Sequence, residues 1–212
     1  MRRAAIGLLA LSLVVVASLV ATAGGGARDD SATSGDDHVF IRWDLVQFVG
    51  GVILVGGSDV STDAETGDTV KLTGSGHAEP LEHEAAGGGT FVHKNEDGKT
   101  LAKGAYYVTD FRGWERLDGG SLDATGLIDG IGNGPGANPN EHEPTSGVLR
   151  LKVHFVPVVD GEPQPGVNGI LRINCYLPET TEFVREGVRV MIPSFDLDFR
   201  PTSGVTLFHA LR

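Results

Sequence analysis

The chain has 212 residues, a net charge of −11 and one cysteine. Its length suits one ordinary domain with a sizeable core. The acidic balance disfavours nucleic acid and anionic membranes, which need clustered Lys and Arg, and the lone Cys175 excludes an intramolecular disulfide framework.

Arg2 and Arg3, the apolar run Ala4 to Val20 and the small-residue site Ala21-Thr22-Ala23 form a secretory signal peptide pattern over 1–23. The sequence therefore predicts an exported, extracellular protein with no membrane contact after cleavage. Residues 24–37, rich in Gly, Ser, Thr and Asp, form a leader with little to bury. An all-β domain is expected over 38–212.

Val39 to Val46 reads as a first strand, and Val49 to Val55 as a second, buried one. Ser58 to Asp68 reads as a turn with an edge segment. Val70 to Thr73 is a short strand with Val70 and Leu72 on one face. His77 to Ala86 reads as a connection holding one helical turn. Next comes the clearest signal in the chain, a hairpin from Gly89 to Lys94, turning at Asn95-Glu96-Asp97-Gly98 and returning to Thr109. Phe111 to Leu117 continues the sheet. Asp118 to Pro144 reads as a long surface loop, with Leu127, Ile128 and Ile131 pinning it down. Val148 to Val156 and Gly169 to Leu177 alternate cleanly between apolar and polar residues, and Val188 to Ile192, Phe195 to Phe199 and Val205 to Ala210 follow. No segment sustains a helical apolar period.

About nine or ten short strands with Gly-rich connections predict an antiparallel β-barrel, with a β-sandwich as the alternative. Repeated glycines favour the barrel because they permit tight curvature.

The best candidate site is a polar strand face. Arg150, Lys152 and His154 alternate on one strand, and Arg172, Asn174 and Tyr176 on the next. If the two strands pair antiparallel, the six side chains gather on one face. In a barrel mouth they would hold an anionic or carbonyl-bearing small molecule. The bland alternative is the solvated face of an amphipathic sheet. Two identical Glu-His-Glu triplets, at 82–84 and 141–143, with His77 and His93, offer transition-metal ligands but match no metal motif. Asp123, Asp129, Asn133, Asn138, Asn140 and Glu141 offer oxygen ligands without a calcium-loop series. We assign no metal and no cofactor. No nucleophile elbow or catalytic set stands out, and Cys175 sits in an apolar strand as a buried thiol.

Several pieces resemble a family of secreted actinobacterial all-β proteins of unknown function. They are Phe40 to Asp44 (FIRWD), Val70 to Gly76 (VKLTGSG), Gly87 to Phe91 (GGGTF), Lys103 to Val108 (KGAYYV), the Cys175 strand, Glu186-Gly187-Val188 and Thr206 to Arg212 (TLFHALR). The resemblance implies export and one domain, and carries over no catalytic residue. The Gly-rich strands from Gly87 to Val108 are more distantly similar to eight-stranded barrels of the allene oxide cyclase and dirigent type, a likeness of fold alone. Three functional expectations follow. The first is a secreted protein binding a small molecule or surface component. The second is a cyclase or isomerase barrel using His154 or Tyr176 to handle a proton. The third is a structural cell-envelope protein without a pocket.

Overall fold

The structure, a computed structural model, describes residues 40–131 and 142–211. The expected signal peptide and leader lie outside the described residues, as do Asn133, Asn138, Asn140 and Glu141.

The described residues form fifteen strands: β1 Phe40–Val49, β2 Val52–Val55, β3 Asp59–Asp63, β4 Thr69–Leu72, β5 Ser75–Glu79, β6 Glu84–Lys94, β7 Thr100–Arg116, β8 Ile128–Asp129, β9 His142–Thr145, β10 Gly147–Val159, β11 Glu162–Pro163, β12 Val167–Cys175, β13 Gly187–Ile192, β14 Leu197–Ser203 and β15 Thr206–Leu211. Two short 3-10 turns, Asp123–Thr125 and Pro193–Phe195, are the described helical segments. Eight strands close an antiparallel barrel in the order β6, β7, β10, β12, β13, β14, β3, β4 and back to β6. The sandwich alternative is thus set aside.

The clean alternation of β10 and β12 dictates what faces inward. Leu149, Leu151, Val153 and Phe155 are buried, as are Leu171, Ile173 and Cys175, and the two rows meet at Leu149↔Ile173 and Leu151↔Leu171. Val70 and Leu72, Phe91, Tyr106, Val190 and Phe199 complete the wall from the other strands. The predicted hairpin forms with its turn as expected. Gly98 donates its N–H to the Asn95 carbonyl at 2.9 Å, and Lys99 donates to Asn95 Oδ1 at 2.8 Å.

A second layer of pairing runs off the barrel. The first half of β6 leaves β4 and pairs with β5, which leads through β1 and β15 to β9. Here two glycines are needed for close approach. Gly76 faces Gly87 across the β5–β6 pair, under the fully buried Trp43 ring. A Cβ on Gly76 would lie 2.2 Å from the Ala86 carbonyl and 2.8 Å from Trp43 Nε1.

The structure corrects four expectations. Val49 to Val55 is not one buried strand. Gly50 and Gly51, at φ 60° and 83°, turn the chain back into a β1–β2 hairpin whose Val49 and Val55 are exposed. Paired positive φ values make the hairpin turn that matches strand twist. Ser58 to Asp68 is not an edge, because β3 is a full member of the ring between β14 and β4. His77 to Ala86 holds no helical turn; it is the β5–β6 hairpin, and His83 takes the left-handed φ of 57° in its turn. The long loop contains structure of its own, including β8, paired in parallel with β2, and β9. Leu127 and Ile131 pack on the core, as the apolar island predicted, while Ile128 is exposed.

Adjacent residues on β10 test the inward assignment. Leu151→Ala should destabilise the protein by about 2–5 kcal/mol, whereas Lys152→Ala should stay within about 0.5 kcal/mol. Urea unfolding followed by circular dichroism checks both, and the reverse order would mean that the strand presents its other face to the core.

Candidate ligand site in the barrel mouth

One end of the barrel is open. A cavity of about 870 Å³ lies there, within the range of small-molecule sites, about 300–1,000 Å³. Val70, Phe91, Phe155, Val190, Ile192 and Phe199 make its apolar wall. They come from the inward rows of five strands of the ring, β4, β6, β10, β13 and β14, so the cavity is the place where alternating strands run out of partners to fill the interior. Phe91 and Phe155 meet edge to face at 5.2 Å, and Phe155 leans on Tyr106 at 5.6 Å, with Tyr106 deeper in the barrel. Gly169 makes room for Phe155, since a Cβ there would lie 2.8 Å from Phe155 Cε2. The Pro193–Phe195 turn forms part of the rim, and Phe195 is 63 % exposed.

One imidazole interrupts this apolar wall. His93 sits on β6 two residues after Phe91, opposite Val70 and Ala102, and lines the cavity. Its Nε2 shares a 3.0 Å hydrogen bond with Asp68 Oδ2, and its ring packs edge to face on Phe199 at 5.5 Å. A carboxylate partner fixes the orientation of an imidazole ring, which is how a histidine is prepared to handle a proton or orient a polar group. Sequence reasoning noticed His93 only as a neighbour of the Glu-His-Glu triplet. The available signal was its place in the Phe91 row of an alternating strand.

The six residues predicted from the polar face are partly brought together on the outer rows of β10 and β12, and of the six Lys152 also borders the mouth. Arg150 stands directly opposite Arg172, His154 opposite Asn168, and Lys152 opposite Ile170. The apolar rows of β10 and β12 take the interior, so the polar rows must turn outward. Arg150 bonds Glu115 at 3.2 Å, Arg172 Nε donates to Asn174 Oδ1 at 3.1 Å, and Asn174 Nδ2 donates to the Arg185 carbonyl at 2.8 Å. His154 bonds Asn168 at 2.9 Å and leans on Tyr107. Lys152 and Asn168 also reach the cavity lining. Tyr176 lies beyond the end of β12 and packs on Phe183 at 5.4 Å.

The other candidates fare differently. Among the described residues no group of three or more His, Cys, Asp and Glu is placed to hold a metal ion. His83 packs on Phe111, and His77 stacks on Phe40. Asp129 bonds His209 Nε2 at 2.7 Å and accepts the Ile131 N–H at 2.9 Å, so its carboxylate ties the β8 segment to β15.

Sequence reasoning also missed two neighbouring acidic groups, Asp59, which is fully buried, and Glu186, which is half-buried. Asp59 is fully buried on β3. Ser61 Oγ lies 3.2 Å from its Oδ1 and donates to the Val188 carbonyl, while Oδ2 has no partner. Glu186 accepts from Thr206 N at 2.7 Å, Thr206 Oγ1 at 2.8 Å and Tyr176 N at 2.5 Å. Burial pushes Asp59 from 3.8 up to about 7, with the nearby Glu186 charge adding to the rise. Burial likewise pushes Glu186 from 4.5 up to about 7. Burial also raises the Cys175 thiol well above its ordinary range, which makes it an inert core residue.

Searches for relatives find no matching family model, no matching curated protein and no matching solved structure.

The acid pair sets a pH dependence. Both groups hold protons in the folded state up to about pH 7, whereas the unfolded chain releases them near their ordinary values. The folded state therefore binds more protons between about pH 4 and 7, and stability from these groups falls as pH rises through that window. Asp59→Asn should flatten this slope and make the protein more stable than the parent at pH 8. Urea midpoints at pH 5 and pH 8 check it; a variant less stable than the parent at pH 8 would contradict the assignment.

Proposed function

We propose that this protein is an exported barrel that binds an apolar or amphiphilic small molecule in its mouth. The observation that carries the reading is the cavity of about 870 Å³, walled by Phe91, Phe155, Phe199 and aliphatic side chains and broken by one oriented imidazole. Burying an apolar ligand there gains about 25 cal/mol per Å² removed from water. The polar end of the ligand would meet His93, or Arg112 and Lys152, which also line the space. Export rests on the sequence pattern of residues 1–23. An open cavity weighs against the purely structural envelope protein.

A second reading, the cyclase or isomerase, is favoured by one observation. The His93–Asp68 pair places a proton-handling group directly on an apolar wall. That group replaces His154 and Tyr176 in the role, since His154 faces outward against Tyr107 and Tyr176 lies off the end of β12. The likeness to allene oxide cyclase and dirigent barrels fits this reading at the level of fold alone.

Two measurements test these proposals. Native mass spectrometry of protein purified from its source should show a co-purifying apolar ligand. A Val190→Trp variant, folded by circular dichroism, should lose it because the indole fills the cavity; retention of the ligand would defeat the binding site. For any turnover found, His93→Gln should lower kcat by about 10²–10⁴ while leaving affinity within a few fold, and an unchanged kcat would remove His93 from the chemistry.

A further inference from the structure

The outer face of β7, β10, β12 and β13 carries an arrangement that the cavity does not use. Arg150 of β10 lies opposite Arg172 of β12, and Arg172 lies opposite Arg189 of β13. Three arginines thus stand in one row across three neighbouring strands, spanning about 10 Å at the usual interstrand spacing. Like charges directly opposite one another destabilise a sheet. The row is the more notable because the chain has 17 basic residues against 28 acidic ones.

Its two ends are matched and its centre is not. Arg150 is paired with Glu115 at 3.2 Å. Arg189 grips Asp198 with both arms of its fork, at 2.6 and 2.7 Å. Arg172, between them, donates to the neutral amide of Asn174, and has no carboxylate partner among the described residues. The Arg189–Asp198 contact shows on this very face the planar, two-point geometry by which guanidinium binds carboxylate. Four residues along β10, about 13 Å away, Tyr107 lies against His154 with 48 % of its surface exposed. His154 in turn is held by Asn168 at 2.9 Å. An exposed aromatic ring beside fixed polar groups suits a sugar ring, one face of which is apolar.

We propose that this outer face is a second binding surface, and that it takes a carboxylate-bearing glycan. Its carboxylates meet Arg172 and the flanking arginines, and a sugar ring lies against Tyr107. The charge balance selects this class over nucleic acid. Glu115, Asp110 and Asp198 stand among the cations, and the whole chain carries −11. Such a surface repels a densely charged phosphate backbone but accommodates a chain with one charge per sugar. The arginine row lies outside the cavity lining, although Asn168 borders both the cavity and His154.

The test uses the full chain and three probes: polygalacturonate, its methyl ester, and duplex DNA, each by isothermal titration at several salt concentrations. Binding should appear with polygalacturonate, weaken with salt and vanish with the ester. Arg172→Gln should weaken it about tenfold or more, Arg172→Lys should restore part of the loss, and Tyr107→Ala should weaken it without changing the salt dependence. Melting curves confirm that each variant is folded, and Tyr107→Ala serves alone if Arg172→Gln is not. No binding to polygalacturonate, equal binding of the ester, equal affinity of folded Arg172→Gln, or duplex DNA binding as tightly as the glycan would each overturn the proposal.

Discussion

Closing eight strands into a ring forces every side chain to choose a side, and that choice governs the rest of this molecule. In a β-strand successive side chains alternate between faces, so a strand in a closed barrel has one row inside and one outside. The β7–β10–β12 wall obeys this with an apolar inner row and a charged outer one. The ring also has to bend. Two register shifts in the β7–β10 pair, beside Arg112-Gly113 and Thr109, provide part of that bend. An extra residue in one strand increases local twist and lets a flat ladder curl. Where β6 parts from β4, the glycine pair under Trp43 lets β5 approach closely and carries the sheet out to β1, β15 and β9.

The same closure makes the interior unequal along its length. Deep in the barrel Tyr106, Leu151, Leu171 and Ile173 leave no room for water, and the polar groups caught there lose their solvation. Asp59, fully buried on β3, and Glu186, half-buried in the connection before β13, hold protons well above the usual carboxylate range because an ionised carboxylate in low dielectric is costly. Toward the mouth small residues such as Ala102 and Gly169 line the wall, and space opens. His93 stands at that transition, where Asp68 is near enough to hold its ring. The cavity and the outer arginine row are therefore two consequences of one alternation, written on opposite faces of the same strands.

Much of this was legible in the residues. Val-Leu-Arg-Leu-Lys-Val-His-Phe declares a strand with one apolar face, Asn95 to Gly98 declares a turn, and the Gly/Pro region between β10 and β12 lets the two strands pair antiparallel. Other parts were hidden for physical reasons. Asp59, Ser61 and Asp63 look like a surface turn because sequence patterns equate polar with exposed. In the fold Asp63 instead accepts the N–H groups of Glu65, Thr66 and Asp198, so its polarity is satisfied from within. The Gly-rich segments around Gly76 and Gly87 look like loops because nothing in a glycine reports the tryptophan that will cover it. His93 and Asp68 lie 25 positions apart, and no local pattern joins them.

The sequence by itself determined the fold class and the division of each alternating strand into an apolar and a polar face, since each depends on the order of neighbouring side chains. Only the tertiary structure decided which face looks inward, where the barrel leaves space and which histidine borders it. Those are properties of closure: they arise when strands distant in the chain are brought side by side, and the geometry of the ring assigns each face to the core or to water.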